Sequence, residues 1–131
     1  MTTGTTFLQR VLQFDAATCA AMGAGLVLGA APLGQLLELP ISLLRTAGVL
    51  LLPFAALLLW TARNAQPRAA IVHAIIAANL AWAFASVAVL LGEFVLPNAL
   101  GMAFMAGQAV AVAIIADLEA MALRRARVAT A

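Results

Sequence analysis

Residues 69–92 read AAIVHAIIAANLAWAFASVAVLLG. Apart from His73, Asn79 and Ser86, every side chain here is apolar or absent, and none carries a fixed charge. At about 1.5 Å per residue, a helix of this length covers roughly 36 Å, enough to cross a hydrocarbon core of about 30 Å. The stretch lacks the alternation of period two that a barrel strand shows. It reads as a transmembrane helix. Just before it stands Arg63-Asn64-Ala65-Gln66-Pro67-Arg68, a polar loop that ends in proline ahead of a helix start.

Similar runs lie on either side. The second spans about 41–62, with Pro53 inside it, and the fourth spans about 98–123. The first spans about 7–31. It is too long for the apolar part of a signal peptide and carries Asp15, so it reads as a span that is kept. Between it and the second lies PLGQLLELP, residues 32–40, whose leucines suggest a segment lying in the membrane interface. The expected fold class is all-α: a single transmembrane domain over residues 1–131, folded as a four-helix antiparallel bundle.

Composition agrees. Of 131 residues, 66% are hydrophobic and 9% charged, against about 25% charged in an ordinary soluble domain. Twelve charged side chains cannot cover a water-soluble globule of this size. A soluble enzyme, a nucleic-acid binder and a disordered tail are thereby excluded. The lone cysteine, Cys19, allows neither an intrachain disulfide nor a CxxC redox pair.

Charge position gives orientation. Arg10, Arg63, Arg68, Arg124, Arg125 and Arg127 fall on one side of a four-span chain. The other side carries Glu38 and Glu93, with Arg45 just inside the second run. This asymmetry predicts both termini in the cytoplasm, hence a multi-pass protein of the bacterial inner membrane.

Ionisable groups within spans are costly and mark sites by default. Asp15 and Asp117 are the intramembrane charged candidates. Asp117 continues a small-residue stripe through Ala113, Val110, Ala106, Ala103 and Ala99, suited to close helix contact. Asp117 and Glu119 stand about 160° apart on a helix, so both cannot face one centre. Asp117 is expected inward, Glu119 at the interface, and the aspartates paired with arginines such as Arg68 or Arg124. Asn79 and Gln108 fall near the midplane and are expected to hydrogen-bond each other. Arg45 is expected to pair with Glu93 or Glu38, or to hold an anionic group. Arg45, Asn79, Gln108 and Glu93 are therefore the candidate ligand-binding residues. The Gly25-Leu26-Val27-Leu28-Gly29 pattern permits close packing.

LLRTAGVLLLPFAALLL at 43–59, with Asn79-Leu80-Ala81-Trp82 and Leu100-Gly101-Met102-Ala103-Phe104, resembles small four-span bacterial integral membrane proteins of unassigned function. A fainter similarity is to DoxX-like four-helix proteins, which include subunits of quinone-linked oxidoreductases. Neither resemblance carries a functional residue to a position of this chain. No Ser/His/Asp set, phosphate loop or HExxH motif is present, and one histidine cannot supply both axial ligands of a b-type haem. The expectation is a non-enzymatic accessory or interaction subunit with no cofactor and no metal site. Its partners would be membrane lipids, other membrane proteins or a second copy, and no nucleic acid. The alternatives are binding or transport of a small lipophilic or anionic molecule, and a membrane subunit of a quinone-linked redox complex.

Overall fold

The computed structural model describes residues 3–130. Five helices follow one another: α1 (Thr3–Leu28), α2 (Ala30–Leu37), α3 (Ile41–Arg63), α4 (Ala69–Leu91) and α5 (Ala99–Thr130). Among the described residues there is no strand. Four of the helices are long and apolar enough to cross a membrane. Their outward faces are lined by large apolar side chains such as Leu50, Trp60, Leu80, Phe84 and Val110, an arrangement suited to lipid and not to water.

The first run differs from expectation at both ends. Helix begins at Thr3 and breaks at Gly29, whose φ of −103° and ψ of 14° depart from helical values. Pro32 accounts for the break: it has no N–H for the carbonyl of Leu28, and its ring would crowd that oxygen. Beyond the break the interfacial segment is the short helix α2. Glu38 closes it in the left-handed conformation, with φ 52° and ψ 45°. The N–H groups of Glu38 and Leu39 both reach back to Gly34, so two otherwise unpaired donors end on one carbonyl. At the other end of the chain, helix continues through Arg124, Arg125 and Arg127 to Thr130 instead of stopping near Leu123.

Asn98 joins the short helix α2 to the fourth span, α5. Its Oδ1 accepts from the Gly101 N–H at 2.8 Å, capping α5. Its Nδ2 donates to the Leu36 carbonyl at 2.8 Å, satisfying the end of α2.

α1 packs along α3 and against α5, and α4 packs along α5. α3 and α4 scarcely meet, and the backbones of α1 and α4 make no close approach. Gln9 of α1 bonds Asn64, just beyond α3, while Gly23, later on α1, meets Gly48, earlier on α3. Near the chain termini the helices close over a core of Leu8, Leu12, Leu58, Val72, Ile75 and Leu123. A second core, around Leu26, Leu37, Leu44 and Met105, holds the opposite end.

The close α1–α3 crossing depends on Gly23 and Gly48, not on the Gly25–Gly29 pattern. A Cβ at Gly48 would stand 2.8 Å from the Gly23 carbonyl oxygen and 2.9 Å from the Val27 nitrogen. A Cβ at Gly25 would meet nothing within 4 Å. Gly48→Leu is therefore expected to lower stability by about 1–3 kcal/mol, while Gly25→Leu leaves it nearly unchanged. Thermal unfolding of both variants in the same micelles checks this contrast.

Candidate functional site

Among the described residues, hydrogen bonds between side chains form two polar sites within the apolar interior. The deeper one is built from Asp15 on α1, Asn79 on α4 and Glu119 on α5. Asp15 is 2% exposed and Glu119 is fully buried. Asn79 Nδ2 donates to Asp15 Oδ2 at 2.9 Å and to Glu119 Oε2 at 3.0 Å. Cys19, one turn beyond Asp15, directs its thiol at Asp15 Oδ1 across 3.4 Å. Glu119 Oε1 is buried with no hydrogen-bond partner. One amide nitrogen thus holds two carboxyl groups from helices at opposite ends of the chain.

This placement reverses the expected roles on α5. Glu119 faces inward and Asp117 outward. The inward face continues from Glu119 through Ala116, Ile115, Ala109 and Met105 in one direction and Ala122, Leu123 and Ala126 in the other. The stripe of Ala99, Ala103, Ala106 and Val110 lies on the outside. Close packing by small residues is thus not what orients this helix; burial of the larger Met105, Ile115 and Leu123 is. Helix length also changes where Glu119 stands within its helix. In a helix ending near Leu123, Glu119 stands one turn from the end, but α5 runs to Thr130, about 16 Å further along the axis than Glu119. Asp15 likewise stands about three turns from the start of its helix, because α1 begins at Thr3.

The expected Asn79–Gln108 hydrogen bond is absent, because each amide has its own partners. Trp82 Nε1 donates to Gln108 Oε1 at 3.0 Å. Gln108 Nε2 donates to Ser86 Oγ at 2.8 Å and to the Met105 carbonyl at 3.2 Å. Ser86 in turn donates to the Trp82 carbonyl at 2.8 Å. Since an indole N–H can only donate, the orientation of the Gln108 amide is determined.

These three side chains line a cavity of about 220 Å³. It lies where α3 and α4 separate, towards the end of the bundle bearing Glu38 and Glu93. Leu43, Ala47 and Leu51 of α3 form one wall, and Ala85 and Val89 of α4 another. Met22 and Leu26 of α1 close the back. The cavity does not reach Asn79. It has several times the roughly 30 Å³ that a water molecule occupies in the liquid, and its lining is almost wholly apolar.

The remaining candidates stand apart. Arg45 is exposed on α3, and Glu93 is exposed in the turn after α4 with φ 54°. Among the described residues no ion pair joins Arg45 to Glu38 or Glu93. His73 also faces outward. Among the described residues no three His, Cys, Asp or Glu side chains are grouped to hold a metal ion. No family model matches the chain, and no curated protein or solved structure matches it either.

Asn79 supplies hydrogen bonds to both buried carboxyls. Asn79→Leu is expected to cost about 2–3 kcal/mol. In an Asp15→Asn/Glu119→Gln background the same substitution should cost much less. Denaturant titration of the four variants in micelles checks the non-additivity.

Proposed function

We propose that this chain binds a small lipophilic molecule carrying a hydroxyl or N–H group in the cleft between α3 and α4. The observation that carries the reading is the hydrogen-bond accounting of the cavity wall. Both N–H groups of Gln108 are committed, to Ser86 and to Met105. The Ser86 hydroxyl proton is committed to Trp82, and the Trp82 indole N–H to Gln108. What remains is acceptor capacity: a second lone pair on Gln108 Oε1 and another on Ser86 Oγ. A molecule with only a carbonyl finds no donor there, whereas a hydroxyl or N–H finds an acceptor inside an apolar wall. The volume suits a single substituted ring or the end of an acyl chain.

The setting for this activity is an antiparallel four-span bundle in the bacterial inner membrane with both termini in the cytoplasm. The six arginines of the terminal segments and the central loop support the orientation. The opposed order of the Gln9–Asn64 and Gly23–Gly48 contacts supports the antiparallel arrangement. In this orientation the cleft opens sideways into the outer leaflet, where a lipophilic ligand would be dissolved. The role of accessory subunit has its own supporting feature. The outward stripe of Ala99, Ala103 and Ala106 leaves room for a helix of another membrane protein.

The test uses Trp60→Phe protein in lipid nanodiscs, so that Trp82 alone reports. A para-alkyl phenol is expected to quench its emission saturably, and the corresponding methyl ether to bind about tenfold more weakly. Gln108→Leu combined with Ser86→Ala, which removes both free acceptors, should bring the two probes to equal affinity, and Ala47→Phe should abolish quenching by filling the cleft. Equal affinities in the parent protein, or quenching undiminished by Ala47→Phe, would overturn the reading. For the topology, a reporter fused after Ala131 is expected to be active only if it works in the cytoplasm.

A further inference from the structure

The cleft does not use the buried carboxyl pair, and the pair's own hydrogen bonds are incomplete in an informative way. Its four carboxyl oxygens meet three donors. Cys19 serves Asp15 Oδ1, and the two N–H groups of Asn79 serve Asp15 Oδ2 and Glu119 Oε2. Glu119 Oε1 has none, although no part of the residue reaches solvent. Buried acceptors are rarely left so. Both carboxyls accept from the same Asn79 nitrogen, at 2.9 and 3.0 Å, so they stand close together.

Charge accounting leads to the same place. Among the described residues no guanidinium pairs with either carboxyl. The titratable groups within the site are Asp15 and Cys19 from α1 and Glu119 from α5; α4 contributes the neutral Asn79. The core around them, from α1, α3, α4 and α5, is Leu12, Ala16, Leu58, Ile75, Ala122 and Leu123. Two bare carboxylates sharing one amide nitrogen in such surroundings would leave a double negative charge with nothing to balance it. A bound cation would halve that charge. Asp15, Cys19 and Glu119 are not arranged as a metal-holding group, and the one missing partner is a single hydrogen-bond donor.

We propose that Asp15, Asn79 and Glu119 form a proton-binding site in which one exchangeable proton is shared between Glu119 Oε1 and the Asp15 carboxyl. The proton comes from water and returns to it, and no other bond is made or broken. With it in place every carboxyl oxygen has a hydrogen-bond partner, and the net charge of the site is −1. The proposal is independent of the ligand in the cleft.

The experiment is infrared spectroscopy of the full chain in lipid nanodiscs. At neutral pH the spectrum is expected to contain the C=O stretch of one protonated carboxyl per chain, shifted by deuterium exchange and lost as the pH is raised. Glu119→Gln and Asp15→Asn should each remove the band while circular dichroism shows the helices intact. If either variant fails to fold, carbon-13 labelling of aspartate or of glutamate carboxyls in the unaltered protein replaces it, and either label should move the band. A spectrum with no such band, or a band unmoved by both variants and both labels, overturns the proposal. So does a missing band together with a melting temperature that rises on adding sodium or calcium ions, since the balancing cation would then be a metal.

Discussion

Two carboxyl groups held against one amide nitrogen, sealed from solvent, set the terms for the rest of this all-helical fold. Each of the three helices involved must present one polar side chain at the same level, and none can turn about its axis without stranding it. On α5 this selects Glu119 over Asp117. On α4 it turns Asn79 inward together with Val72 and Ile75. The α1 and α4 backbones do not approach each other, so the Asp15–Asn79 hydrogen bond reaches across the middle of the bundle. Apolar packing between lipid-facing helices has little directional preference, because lipid tails are as apolar as leucine. A buried polar set supplies the direction.

The two ends of the molecule then differ for a physical reason. At one end the carboxyl pair and the Leu8–Leu123 core draw side chains of α1, α3, α4 and α5 into a single cluster. Towards the opposite end α3 follows α1 through the Gly23–Gly48 contact, while α4 follows α5 through Trp82, Ser86 and Gln108. Nothing comparable ties α3 to α4, and the cleft is the space left between them. Its polar chain belongs wholly to the α4–α5 side, so a ligand there would meet a polar wall facing a wall of leucine and alanine.

How much of this was legible in the sequence depended on scale. Uninterrupted apolar runs bounded by Pro40 and by the Arg63–Arg68 loop give α3 and α4 to within a residue or so, because burial in lipid demands unbroken helix. The outer ends of α1 and α5 were harder. Hydropathy falls at Thr3–Thr6 and at Arg124, but a helix does not have to stop where apolar side chains do. That one difference moves Asp15 and Glu119 from near their helix ends to well inside. The choice between Asp117 and Glu119 turned on which face of α5 is buried. A stripe of small residues suggests one answer and the positions of Met105, Ile115 and Leu123 give the other. Asn79 and Gln108 were recognised as polar groups in need of partners, but their partners lie 64 and 26 residues away in sequence for Asp15 and Trp82 respectively. Spacing along one helix carries no information about such distances.

The distribution of the carboxyl site along the chain also bears on how the protein is made. Asp15 lies near the start of the chain and Glu119 near its end. Asn79 comes between them. A chain threaded into the bilayer in order of synthesis delivers its first acid long before the amide that will hold it, and the second acid last. Until α5 arrives, the early helices carry polar groups whose partners do not yet exist. Completion of the centre therefore waits on the insertion of α5, and a chain truncated before α5 would keep an unmet polar group within its spans.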